Sequence, residues 1–112
     1  MSLENVADTT VAACKLTDKE QVKRAQKLRK ALFAKVQDVK ELEDGYGLKL
    51  PKNNDMMDKI NKHIKIEKEC CPFFEFEITI KPDEGPIWLK FKGGKQVKEM
   101  LRADVEELKK AI

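Results

Sequence analysis

Two adjacent cysteines are the residues of this chain that are best suited to chemistry. Cys70 and Cys71 stand at the end of a predicted helix, immediately before Pro72, and Cys14 is the third cysteine of the chain. Thiolates bind soft metal ions and metalloids, and a carboxylate is a weaker companion ligand. Glu67 lies one helical turn before the pair. We therefore predict a site for a thiophilic ion formed by Cys70 and Cys71, assisted by Cys14 or Glu67.

Two other interpretations of the cysteines stay open. As small apolar side chains they fill cores, and the chain is then a non-catalytic interaction module, dimerising through Trp88 and Phe73, which point outward in the predicted sheet. The second alternative is a thiol-dependent redox enzyme. The carbonyls at a helix C-terminus disfavour the thiolate that such an enzyme needs. We accordingly assign no catalytic residue.

His63 is the only histidine of the chain. At 100° per residue, His63, Glu67 and both cysteines project from the core-facing side of one helix or from its edge. His63 and Cys70 are roughly 10 Å apart along that helix at 1.5 Å per residue, too far to share one ion. The chain has no second histidine and its only serine is Ser2, so no catalytic triad can form. We predict that His63 is a hydrogen-bonded residue at the boundary of the core.

Three helices are predicted around these residues. A capping box at Thr17 starts the first helix, and apolar residues at three- and four-residue steps continue it over residues 18–35. Asn53 or Asn54 caps the second helix, which Pro72 ends. A third amphipathic helix closes the chain after a pair of glycines.

Two hairpins are predicted between the helices. Asp44-Gly45 is a two-residue hairpin signal between segments 36–43 and 46–50. After the second helix, apolar and polar residues alternate over 74–81 and again over 87–91, as in strands with one buried face. The order helix, hairpin, helix, hairpin, helix predicts an α+β, two-layer fold with a four-stranded, mainly antiparallel sheet.

Length and charge bound the class of protein. The 112 residues suit a single domain, predicted over 14–112, after a flexible tail at 1–13. With 23 basic and 20 acidic side chains, and three arginines, the chain lacks the basic stripe typical of a nucleic-acid-binding protein. It has no apolar run long enough to span a membrane. We expect a cytoplasmic protein with reduced cysteines and with neither nucleic acid nor membrane as a partner.

Two short motifs carry a resemblance. The segment from Glu67 to Phe73 reads E-x-x-C-C-P-F, the segment 85–89 reads G-P-x-W-L, and Cys14 begins a C-x-L. In these motifs the chain resembles a family of small uncharacterised prokaryotic proteins, over most of residues 14–101. The resemblance implies no particular activity. It implies that the residues that matter are Glu67, Cys70, Cys71 and Pro72, and more weakly Cys14 and Trp88; His63 is not part of the pattern.

Overall fold

The computed structural model describes residues 19–70 and 72–112 of the chain, with the backbone alone for Cys70. The predicted tail at 1–13, the Thr17 cap, Cys14 and Cys71 lie outside these residues. None of the described helices is long and apolar enough to cross a membrane. The elements are α1 (Lys19–Phe33), β1 (Asp38–Leu42), β2 (Gly45–Leu50), α2 (Asn54–Cys70), β3 (Glu75–Ile80), β4 (Ile87–Lys92) and α3 (Lys95–Ala111).

The four strands form one antiparallel sheet in the order β1-β2-β4-β3. The second hairpin therefore adds β4 beside β2 and leaves β3 at an edge. α3 packs against β1 and β2, and α1 packs against α2. The predicted α+β fold, with its element order and its antiparallel sheet, is confirmed.

The core lies between the sheet and the helices because alternate strand residues face the same side. On β4, Leu89 is fully buried and pairs with the buried Leu48 of β2. The other face of the sheet carries mainly lysines and glutamates, among them Lys90 and Glu77, which form an ion pair at 3.1 Å. Further core residues are Tyr46, Leu50, Met56, Ile60, Ile87, Phe91, Val97, Leu101, Val105 and Leu108.

The ends of α2 follow from local chemistry. The Asn53 side chain accepts a hydrogen bond from the Met56 amide at 2.7 Å, so Asn53 is the N-cap of a helix that begins at Asn54. The helix ends at Cys70, two residues before Pro72. Both ends agree with the prediction.

The first hairpin turns one residue earlier than predicted. Leu42 pairs with Gly45, so the turn residues are Glu43 and Asp44. Gly45 has no positive φ; it is required because a Cβ there would overlap the carbonyl oxygen of Phe91 in β4. Asp44-Gly45 therefore predicted a hairpin correctly. Gly45 is needed because β2 and β4 approach closely at this position, and not because of the turn.

Two apolar stripes differ from the prediction. On α1 the buried residues include Arg29, whereas Leu28, one of the apolar residues spaced at three- and four-residue steps, is half-buried in a groove between α1 and α2. On β3, Ile78 and Ile80 face the core side but remain 45% and 50% exposed. Because β3 is the outermost strand, the core-facing side of these two residues is left partly open.

The two glycines of β2 give a matched test of this packing. We predict that Gly45→Ala lowers the free energy of unfolding by about 1–3 kcal/mol, because its methyl group would meet backbone. Gly47→Ala should change it by less than about 1 kcal/mol, because a Cβ there lies 3.5 Å from the Trp88 and Lys90 side chains, an ordinary contact. Urea unfolding measures both variants, and equal losses would contradict the explanation.

Candidate functional site

Four polar side chains from three helices meet inside the protein. They are Arg29 of α1, His63 and Glu67 of α2, and Asp104 of α3, and all four are buried. We call them the polar cluster. Each occupies a core-facing position of its helix, where an apolar residue is usual. The cluster therefore lies within the layer of side chains that joins the helices to the sheet.

The central contact of the polar cluster is an ion pair between Arg29 and Glu67. The Arg29 guanidinium contacts Oε1 of Glu67, and the Glu67 side chain is only 1% exposed. Oε2 of Glu67 accepts no hydrogen bond from the described residues. The inward orientation predicted for Glu67 is confirmed, and its cationic partner is an arginine from a neighbouring helix.

His63 lies deeper than predicted. Its ring is buried and meets Phe91 edge-to-face at a centroid distance of 5.8 Å, and Nε2 is 4.0 Å from Oε1 of Glu67. Burial, followed by the positive charge of Arg29, lowers the pKa of His63 from 6.5 to about 3. The imidazole is therefore neutral at physiological pH, and it is an interior residue and not one at the boundary of the core.

The space inside the polar cluster is small. A cavity of about 20 Å³ is lined by Arg29, His63 and Asp104 together with aromatic and aliphatic residues. This volume suits one water molecule and excludes an organic substrate. No group of three potential metal ligands occurs among the described histidine, cysteine, aspartate and glutamate side chains.

The predicted cysteine site is described only in part. Cys70 is the last residue of α2, and Glu67, one helical turn earlier, points into the protein. The side chain of Cys70 and the whole of Cys14 and Cys71 lie outside the described residues. The thiophilic-ion site consequently stays a prediction.

The two outward aromatic residues do not share a patch. Phe73 precedes β3, and its carbonyl lies beside Gly93, the residue that follows β4. Trp88 pairs with Thr79 near the opposite end of β3 and packs beside Gly47. At about 3.3 Å per residue, the six steps along the chain from Phe73 to Thr79 span roughly 20 Å. A homodimer through Trp88 and Phe73 stays a prediction, and the two residues lie too far apart to form one continuous patch.

Sequence reasoning did not identify Arg29 or Asp104 as part of a site. Asp104 stands in the spacing Val97, Leu101, Asp104, Leu108, at a core position of α3. Arg29 stands four residues after Ala25 and three before Leu32, both buried. A charge within such a stripe is the signal that could have located them, because a buried charge requires a partner of opposite sign.

Comparisons of the chain with protein-family models, with curated proteins and with solved structures found no match.

The histidine predicts a pH dependence of stability. Below pH 6.5 the unfolded chain binds a proton at His63, whereas the folded protein does so only near pH 3, so stability falls as the pH is lowered. The loss from this residue between pH 7 and 5 should be about 2 kcal/mol. His63→Leu should lack it. Urea unfolding of both proteins across this range measures the difference, and parallel curves would contradict the assignment.

Proposed function

We propose that the protein binds a soft metal ion or metalloid at the C-terminal end of α2, through the sulfur atoms of Cys70 and Cys71. The observation that carries this is the placement of Glu67: a buried carboxylate one turn before the two cysteines, with Oε1 on Arg29 and Oε2 accepting no hydrogen bond from the described residues. Carbonyl groups at a helix C-terminus also favour a cation. In a cytoplasmic setting the thiols would stay reduced and available.

Glu67 and Arg29 have separate roles in the proposed site. Arg29 holds one carboxylate oxygen and so fixes the last turn of α2 against α1. The remaining oxygen is the weaker, third ligand beside two sulfurs. Because Arg29 keeps its partner, binding would not leave an uncompensated charge inside the protein.

Cys14 is the candidate for a further sulfur ligand. It stands five residues before Lys19, where α1 begins, and a chain of five residues reaches at most about 17 Å. Three sulfurs would favour a trigonal thiophilic ion, whereas two sulfurs with Glu67 would favour a harder one. Substitution of Cys14 therefore separates these two ligand sets.

The test is a titration of the reduced full chain with Hg(II), As(III), Cu(I) and Zn(II), followed by thiolate-to-metal absorbance and by competition with a chelator. Cys70→Ser and Cys71→Ser should each weaken binding of the preferred ion at least about 100-fold, because loss of a ligand exceeds loss of an outer partner. Glu67→Gln should weaken it less. Met57→Leu, at an exposed sulfur near the start of the same helix, is the matched control.

Binding that is unchanged in both cysteine variants would contradict the proposal. Binding lost in Met57→Leu would show that the ion binds elsewhere on the protein. A strongly lowered thiol pKa, without ion binding, would favour the thiol-dependent enzyme in its place.

A further inference from the structure

Among the described residues, β3 is an open edge of the sheet with an apolar side that the described helices do not cover. It ends the strand order β1-β2-β4-β3. Ile78 and Ile80 face the same side as the fully buried Leu89 and Ile87, their partners in β4, yet they are about half exposed. Two neighbouring β-branched residues on the core side of an edge strand form a surface that another strand can extend.

The backbone of β3 also has groups free to pair. The Lys81 amide donates to the Pro86 carbonyl at 3.0 Å, so the pairs Thr79–Trp88 and Glu77–Lys90, which share its register, are the hydrogen-bonded pairs of the β3–β4 ladder. The alternate residues then direct their amides and carbonyls away from β4. These residues are Phe76, Ile78 and Ile80.

The other edge of the sheet is protected. On β1, Glu41 faces the helix side, opposite Tyr46, and its carboxylate lies 3.8 Å from Nζ of Lys98 on α3. A charge directed inward from an edge strand discourages pairing with a further strand. Between Phe76 and Ile80, β3 has neither an inward charge nor a proline.

We propose that β3 pairs antiparallel with β3 of a second copy of the chain, with Ile78 opposite the partner's Ile78. The two sheets then continue as one sheet of eight strands. In this register Phe76 lies opposite the partner's Ile80, and the outward amides and carbonyls of both strands meet as hydrogen-bonded pairs. The apolar sides of the two edges join into one strip, in which each isoleucine buries its flank against an apolar residue of the partner strand.

Charge and the available backbone amides together favour this register over its neighbours. With Ile78 at the centre, Glu75 lies opposite the partner's Lys81, and Glu77 lies opposite the partner's Thr79. Centring on Glu77 would set two glutamates against each other. Centring on Thr79 would set Glu77 against the partner's Lys81, but it would also set Glu75 against the partner's Asp83, and Phe76 against the partner's Pro82, which has no amide hydrogen to donate.

A charge-swap series tests the interface by sedimentation of the reduced full chain over a range of concentrations. Wild type should dimerise. Lys81→Glu sets two pairs of like charges against each other and should raise the dissociation constant about ten-fold or more. Glu75→Lys combined with Lys81→Glu restores opposite charges and should bring it back to within about three-fold of wild type. Ile112→Lys, at another exposed apolar residue, should leave it unchanged.

A second variant blocks the backbone pairing itself. Ile78→Pro removes an amide that the β3–β4 ladder does not use, a substitution tolerated on an edge strand, and it should abolish the dimer while circular dichroism keeps the folded signal. If the variant does not fold, the charge-swap series decides alone. A wild-type chain that stays monomeric, or a dimer insensitive to the charge swap, would overturn the proposal. Amides of Ile78 and Ile80 protected from hydrogen exchange in a monomer would show that another segment of the same chain covers the edge, which would overturn it equally.

Discussion

The ion pair between Arg29 and Glu67 is the constraint on which the arrangement of the helices depends. Both residues are buried, and without Arg29 the Glu67 carboxylate would have no cationic partner among the described residues. Two well-packed apolar residues could replace such a pair at little cost in stability, whereas the loss of one partner is expensive. We therefore expect the pair to do more to specify one arrangement of α1 against α2 than to stabilise the fold. It also fixes where the last turn of α2 lies.

The position of that last turn links the two proposals. Cys70 ends α2, Pro72 prevents its continuation, and Glu75 begins β3 only three residues later. The cysteines and the open edge are thus consecutive in the chain. An ion bound at the helix end and a second copy at the strand edge would act on opposite ends of the same short connection. They require different residues, so either proposal can fail without the other.

Much of the fold could be predicted because its signals are local. The ends of α2 were predicted from a capping asparagine and from the proline after the helix. The element order followed from the helical periodicity and from the alternation of apolar and polar residues in the strands. The errors arose where a distant partner decides. Gly45 is required by a carbonyl of β4, Arg29 is buried because it pairs with the buried Glu67, and Ile78 is exposed because no described strand lies beyond β3. Phe91 and Glu67 are both distant in sequence from Gly45 and Arg29, the residues whose environment they determine.

The candidate site divides in the same way. Helical periodicity correctly predicted that Glu67 points inward and that His63 lies on the same side of α2. The depth at which His63 is buried depends on its packing against Phe91. The residues that complete the polar cluster, Arg29 and Asp104, come from helices 34 or more positions away from the nearest α2 member in sequence. A charged residue within an apolar stripe of a helix was the sequence signal that could have located Arg29 and Asp104.

The unfolding free energy of Arg29→Met, compared with that of Arg102→Met, tests the role of the ion pair most directly. Arg102 pairs with Glu99 at 3.1 Å on the exposed surface of α3 and is the matched control. The account predicts a loss of about 3–5 kcal/mol for Arg29→Met, because Glu67 would be left buried without its cation, and less than about 1 kcal/mol for Arg102→Met. Equal, small losses in the two variants would contradict it.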